Sequence, residues 1–129
     1  MSEIANKIIH IEEEMATAFN LKDIDKMLTY IDNGFTGFSS TTHSRIRGID
    51  AFKKTIKYYL DEASKVKYKI YAVEVQELRD LAIATFYWTV KINHDSHIYE
   101  IQGRGTHVYQ INSDNYKIVH EHYSRAHFR

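Results

Sequence analysis

The 129-residue sequence contains no cysteine, no proline and only five glycines. Without cysteine it can form no disulfide, no thiolate metal site and no cysteine nucleophile. The lack of proline and the scarcity of glycine argue against linkers and low-complexity segments. A chain of this length has the size of one domain, so we expect a single domain over residues 1–129.

An excess of one charge and long apolar runs are also missing. Seventeen Lys and Arg residues balance seventeen Asp and Glu residues, so the charge predicts no nucleic-acid partner. The sequence contains no run of about 18 apolar residues, which is the length needed to span a bilayer. The acidic N-terminal segment does not resemble a signal peptide. We therefore expect a cytoplasmic protein with neither a nucleic-acid nor a membrane partner.

Helical periodicity dominates the first half of the sequence. Apolar residues spaced by three and four positions predict an amphipathic helix over residues 3–19. Asp23 is expected to cap a second, short helix that includes Ile31 and closes near residues 33–34. The same periodicity predicts a third helix over residues 49–63.

Beyond residue 64 the apolar residues alternate with a period of two, which predicts strands joined by tight polar turns. Four long strands are predicted, over residues 68–77, 81–92, 97–111 and 115–125. The FTGFSS segment (residues 35–40) predicts a shorter strand. Gly103 and Gly105 predict a bulge or a sharp bend. The order predicts an α+β fold in which three helices cover one face of a strongly curved, mainly antiparallel sheet, with a conical pocket between them.

This element order, together with four motifs, resembles the nuclear transport factor 2-like superfamily, and more narrowly its SnoaL-like and ketosteroid-isomerase-like branch. The motifs are FNLKDIDKMLTYID, the Gly48-Ile49-Asp50 start of the third helix, GRGTHVYQ and YKIVHEHYS. The last two also resemble the association domain of calcium/calmodulin-dependent kinases. The resemblance implies a cone-shaped α+β barrel of the cystatin-like kind and a homodimer built through the outer face of the sheet. It does not fix the chemistry, because this fold supports isomerases, cyclases, hydratases, binding proteins and oligomerisation modules.

One member of that branch can be set aside. In ketosteroid isomerases the positions of the carboxylate base and the oxyanion-binding tyrosine correspond here to Phe38 or Ser39 and to Met15, respectively. No carboxylate lies between Asp32 and Asp50. That mechanism needs a base and acidic hydrogen-bond donors together, so classical ketosteroid isomerase activity is not expected.

The histidines of the last strand raise the question of a metal site. His120 and His122 are one residue apart, and alternate strand residues share a face, so their imidazoles could converge on one ion. His107, on the neighbouring strand, is the one histidine placed to complete such a site. A stable site also needs hydrogen-bond partners that orient its ligands, so we expect hydrogen-bonded histidines, no metal and no cofactor.

The more favoured chemistry is acid–base catalysis on a small molecule. A histidine titrates near neutral pH, and His107 is predicted to be the proton carrier or anchor. The resemblance to the kinase association domains places His107 where that family has a pocket-facing arginine. Arg104 and His43 are the other predicted catalytic residues. The predicted ligand-binding residues are Tyr30, Phe38, Arg45, Trp88, His120 and His122.

Alternation divides the last strand into two faces, and the sequence does not say which one points inward. One face carries Ile118, His120, His122 and Ser124, and the other Val119, Glu121, Tyr123 and Arg125. Three functions stay open: acid–base catalysis, binding of a ligand such as a carboxylate by Arg104 or Arg45, and homo-oligomerisation without catalysis. The ten tyrosines suit a contact surface as well as a pocket.

Overall fold

The computed structural model describes residues 2–62 and 65–126, which form three helices and a six-stranded sheet. The helices are α1 (Glu3–Asn20), α2 (Ile24–Leu28) and α3 (Ile49–Glu62), and the strands are β1 (Ile31–Phe38), β2 (Ile46–Arg47), β3 (Lys65–Leu78), β4 (Leu81–His94), β5 (His97–Asn112) and β6 (Asn115–Arg125). The predicted α+β architecture, with helices against a curved and mainly antiparallel sheet, is confirmed.

Helix α1 forms as predicted and is one residue longer. Ser2 caps it, since its side chain accepts a hydrogen bond from the backbone N–H of Ala5. Its apolar stripe, which includes Ile8 and Ile11, is buried in the core. Glu12 lies on the same buried face and brings a carboxylate into the interior.

Helix α2 is shorter than predicted. Asp23 caps it by accepting a hydrogen bond from the backbone N–H of Lys26. The helix ends at Leu28, whereas the sequence pattern extended it to Ile31. Ile31 instead begins β1 and is buried in the core, and the backbone N–H of Ile118 donates to the carbonyl of Tyr30 at 2.7 Å. Pairing with a distant strand therefore replaces the last helical turn.

The strand order of the sheet is β2-β1-β6-β5-β4-β3. The four long strands form the predicted antiparallel meander, with tight turns that place Arg79, Asp95, Ser96 and Ser113 at positive φ. Strand β1 begins four residues before the predicted start of the FTGFSS strand and runs parallel to β6. The short β2 pairs with β1. The predicted end of the third helix, residue 63, lies outside the described residues.

Of the bulge or sharp bend predicted at Gly103 and Gly105, the bulge is absent. Strands β4 and β5 keep one continuous register through both glycines. The glycines leave room for aromatic rings, because a Cβ on Gly103 would overlap the ring of Trp88, and a Cβ on Gly105 would overlap that of Phe86. They therefore allow two large side chains to lie directly against the inner face of β5.

A bulge occurs instead in β6. Val108 pairs with His120 but Tyr109 pairs with Ile118, so Val119 is an extra residue on β6. The extra residue reverses the alternation of the strand beyond it.

Because of this reversal, the side chains of β6 do not alternate regularly between the two faces of the sheet. Ile118 points inward before the bulge, and Glu121 and Tyr123 point inward after it. His120 and His122 lie on the opposite, outer face. The expected grouping of Ile118 with the two histidines is therefore wrong.

Among the described residues, no helix combines the length and apolar character needed to cross a membrane.

Candidate functional site

A cavity of about 110 Å³ lies between the helices and the inner face of the sheet. Most of its lining is apolar and much of it is aromatic. The aromatic lining residues are Phe19, Phe52, Tyr59, Tyr68, Trp88 and Tyr123. Ser39, Ser40 and Thr41, in the loop after β1, also line it, and Thr41 is exposed, so the cavity approaches solvent at this loop.

The polar part of the cavity is a buried cluster of one histidine and two carboxylates. His107, on β5, is only 2% exposed. Its Nδ1 lies 2.6 Å from Oε2 of Glu12 on α1, and its Nε2 lies 2.7 Å from Oε1 of Glu121 on β6. The hydroxyl of Tyr109 donates to the same Glu12 oxygen at 2.6 Å. We call these four residues the carboxylate–histidine cluster.

The two carboxylates decide the charge of His107. Burial by itself lowers the pKa of His107, but the charges of Glu12 and Glu121 and their hydrogen bonds outweigh burial and raise the pKa to about 10. A pKa above neutral favours the imidazolium form, in which both nitrogens donate. Both nitrogens are engaged by carboxylates, and in this arrangement His107 holds the two carboxylates in place. The predicted role of His107 as proton carrier or anchor stays a prediction.

Glu121 is the member of the cluster that is best placed to meet a ligand. Its side chain is 12% exposed, against 2% for Glu12. One of its carboxylate oxygens, Oε1, faces His107. Within the described part of the chain its other oxygen has no hydrogen-bond partner, so a lone pair remains for a bound molecule.

Two tyrosine hydroxyls form a second polar feature of the wall. The hydroxyls of Tyr68 and Tyr123 are 2.8 Å apart. Burial raises the pKa of both groups well above the ordinary value, so both stay protonated at neutral pH. One hydroxyl donates its proton to the other in the bond between them, and the proton of the second hydroxyl remains free to be donated.

Trp88 completes this wall and stacks on Tyr123 with ring centroids 5.9 Å apart. Its Nε1 is buried and has no hydrogen-bond partner in the described ranges.

The structure brings only two of the sequence-predicted site residues, His107 and Trp88, to this cavity. Arg104 is exposed on the outer face of the sheet and donates from Nε to the Ser124 hydroxyl. His43 and Arg45 lie in the exposed part of the loop before β2, where the Arg45 guanidinium sits 5.0 Å from the ring centre of Phe38.

The remaining predicted residues also lie outside the cavity lining. The Tyr30 hydroxyl donates to Glu14 at 2.9 Å. Nδ1 of His120 lies 2.9 Å from the Thr36 hydroxyl, and the ring of His122 packs near Phe38. Because the bulge turns His120 and His122 outward, the sheet separates them from His107, and the three histidines do not converge.

Glu12, Glu121, Tyr68 and Tyr123 were not predicted as site residues. A signal for Glu12 was available, because it lies four residues after Ile8 and three before Met15, on the apolar stripe of α1. Glu121 and Tyr123 carry no such signal, since their inward direction depends on the bulge at Val119.

A comparison with known proteins shows the family to which this chain belongs. A family model described as a SnoaL-like domain matches residues 8–127. No functionally curated protein matches the sequence.

Solved structures share the fold. A nuclear transport factor 2-like superfamily protein from Salmonella enterica serovar Typhimurium is 17% identical, with a TM-score of 0.84 over 95% of this chain and 91% of that one. The S. rosetta CaMKII hub is 22% identical, with a TM-score of 0.82 over 98% and 99% of the two chains.

A third structure, a proposed dehydratase of the same superfamily from Streptomyces avermitilis, is 13% identical, with a TM-score of 0.82 over 95% and 97% of the two chains. At these identities the likeness shows the fold alone. Through the family match over residues 8–127, the chain belongs to the SnoaL-like domain family and has the nuclear transport factor 2-like fold.

Proposed function

We propose that the chain binds a small organic molecule in the cavity, and that Glu121 exchanges a proton with it without a cofactor. The observation that carries this proposal is a carboxylate with one oxygen that no described residue bonds, inside a cavity whose walls are mainly apolar and partly aromatic. Carboxylates are effective acid–base groups when burial and neighbouring charges control their ionisation. His107 is a positioning residue in this arrangement, because both of its nitrogens are engaged by carboxylates.

The size of the cavity limits the ligand. An engineered apolar cavity of about 150 Å³ in another protein holds benzene. A cavity of about 110 Å³ that approaches solvent at Thr41 therefore suits a molecule with one small ring. The Tyr68–Tyr123 pair offers such a molecule a hydrogen-bond donor, and Glu121 offers an acceptor. The proposed dehydratase activity of the S. avermitilis relative supports acid–base chemistry on this fold.

The binding site can be tested by filling the cavity. Thr55, on α3, lines the cavity, and its hydroxyl donates to the carbonyl of Ala51 in the same helix. In Thr55→Leu the larger side chain occupies the ligand volume, and we expect it to abolish the thermal shift that small cyclic alcohols, ketones or amines produce in the unmodified protein. A ligand at a hundredfold excess over Kd stabilises the folded state by about 2.7 kcal/mol, which a thermal-shift assay detects.

Thr17→Leu is a matched control. Thr17 makes the same kind of hydrogen bond, to the carbonyl of Glu13, but lies on the exposed face of α1. This variant should respond to ligands as the unmodified protein does. An undiminished response in Thr55→Leu would place binding elsewhere and contradict the proposal.

A second candidate function, homodimerisation, is favoured by the outer face of the sheet. Tyr71 and Tyr87 are 46% and 50% exposed and stack with centroids 5.6 Å apart. Arg104 and Ser124 continue this row across β5 and β6. Exposed aromatic side chains with an arginine are typical of protein–protein contact surfaces. The likeness to the CaMKII hub supports assembly into an oligomer.

A further inference from the structure

We propose that the ligand of the cavity carries a positive charge, and that the cavity binds small ammonium compounds in preference to neutral molecules or carboxylates. This inference rests on the proposed binding function and names the class of ligand. It follows from a count of protons and charges in the carboxylate–histidine cluster and from the composition of the cavity wall.

The proton count comes from geometry. Each of the two short N···O contacts of His107 needs one proton, because a carboxylate without a proton can only accept. An imidazolium between two carboxylates contains two protons and has a net charge of −1. A neutral imidazole between one carboxylate and one carboxylic acid contains the same two protons and the same net charge. With these two protons the three side chains carry one negative charge, whichever atoms hold them.

No cation in the cavity wall balances this charge. The lining residues include no Lys or Arg among the described residues, and the recorded ion pairs of Glu12 and Glu121 are with His107 alone. Arg125, which acts electrostatically on the Tyr59 hydroxyl, is exposed at the end of β6 and is not a lining residue. An uncompensated charge in an apolar interior is unfavourable, so a ligand that brings the opposite charge is favoured.

The walls also suit a cation. Aromatic rings follow one another around the cavity, from Tyr59 through Phe19, Tyr68 and Trp88 to Tyr123, with neighbouring centroids 5.1–6.5 Å apart. The faces of aromatic rings attract ammonium groups, and cages of such rings bind them. A carboxylate at the end of an aromatic cage gives an ammonium group both a charge partner and a hydrogen-bond acceptor.

The same features disfavour an anionic ligand. A carboxylate in the cavity would lie beside Glu121, and like charges at short distance repel. Arg104 and Arg45, the arginines that the sequence suggested as carboxylate partners, lie outside the cavity. Binding of a carboxylate therefore has no cation to support it at this site.

The test is a comparison of ligands that differ in charge but little in shape. Cyclopentylammonium and cyclopentanol have the same number of non-hydrogen atoms, and cyclobutanecarboxylate is an anion of similar size. Binding can be followed through the fluorescence of Trp88, which is the single tryptophan of the sequence and lies in the cavity wall. We expect the ammonium compound to bind at least about tenfold more tightly than the alcohol, and the carboxylate not to bind.

A variant links the preference to the cluster. Glu121→Gln keeps the size of the side chain and removes one negative charge, so the ratio of ammonium to alcohol affinity should fall to about one. Glu13→Gln makes the same substitution at an exposed position on α1 and should leave the ratio unchanged. The comparison of ligands on the unmodified protein needs no variant, so it decides the question even if Glu121→Gln does not fold.

The outcomes separate the two proposals. If cyclopentanol binds as tightly as cyclopentylammonium, or if the carboxylate binds, the charge inference is wrong while the binding function stands. If none of the three compounds binds, the proposed function falls, and the inference falls with it.

Discussion

His107 shows how much one side chain depends on its neighbours. In an unfolded chain its pKa has the ordinary value of 6.5, and in the folded protein Glu12 and Glu121 raise it to about 10. The folded state therefore holds an extra proton between these two pH values, and the free energy of unfolding must fall as the pH rises through this window. The stabilisation is fully present below pH 6.5 and is lost as the pH approaches 10.

This dependence can be measured by urea unfolding at a series of pH values. Between about pH 7 and pH 9.5, the unmodified protein should lose up to about 1.4 kcal/mol per pH unit through His107. His107→Gln should lack this part of the slope. His10→Gln, which changes a histidine with a 71% exposed side chain on α1, should retain it. Equal slopes in the unmodified protein and in His107→Gln would show that the folded cluster holds no extra proton.

The sequence could identify His107 as a candidate site residue, but not the contacts that it makes. Its role depends on Glu12 and Glu121, which lie 95 residues before it and 14 residues after it in the chain. The place of Glu12 on the apolar stripe of α1 indicates that it is buried. The run Glu12–Glu14, however, is also typical of an exposed acidic face. Nothing in the sequence places a carboxylate on both sides of one imidazole.

Among the secondary structure elements, the packing of β5 depends on glycines, which have no side chain. Gly103 pairs directly with Trp88, and the ring of Trp88 occupies the space where a Cβ would lie. The same Cβ would also meet the backbone carbonyl of Ser124 on β6. A backbone group within a sheet cannot move aside without loss of strand pairing, so this position does not tolerate a larger residue.

We therefore expect Gly103→Ala to reduce the free energy of unfolding by about 1–3 kcal/mol and to alter the fluorescence of Trp88. Gly34→Ala is a suitable control, because the added Cβ would approach only a side-chain oxygen of Asp32, at 3.3 Å. Denaturant unfolding and Trp88 emission spectra measure both effects. A fully stable Gly103→Ala with an unchanged spectrum would mean that Trp88 does not lie against β5.

Elements that depend on contacts between nearby residues could be predicted from the sequence. Elements that depend on contacts between distant residues could not. The hairpins of β3 to β6 follow from alternation and polar turns within a few residues. The end of α2 and the start of β1 depend on Ile118, which lies 88 residues beyond Tyr30. The bulge at Val119 is equally invisible, because Val is an ordinary strand residue and only pairing with β5 shows that it is the extra one.

At the scale of the whole molecule, the curved sheet has two faces of different character. The inner face lines the cavity, and the outer face leaves a row of aromatic and polar side chains exposed. If the outer face forms a homodimer, the mass in solution should be about twice the 15.2 kDa of one chain. Light scattering or sedimentation equilibrium measures this mass.

Tyr87→Asp should dissociate such a dimer, because it places a charge at the centre of the row without disturbing a buried side chain. Tyr58→Asp makes the same change at a 67% exposed tyrosine on α3 and should leave the mass unchanged. A monomeric unmodified protein at high concentration would exclude the outer face as a dimer interface.

The position of β6 has a consequence for the order in which a growing chain can fold. On a ribosome, α1 and β1 are made long before β6, yet β6 lies between β1 and β5, and it provides the Glu121 of the cluster that also contains Glu12. Until β6 is released, β1 lacks its long neighbour, and Glu12 of α1 faces an incomplete charge network. Contacts between such distant segments form slowly, so the nascent N-terminal half has an exposed strand edge that a chaperone could shield during synthesis.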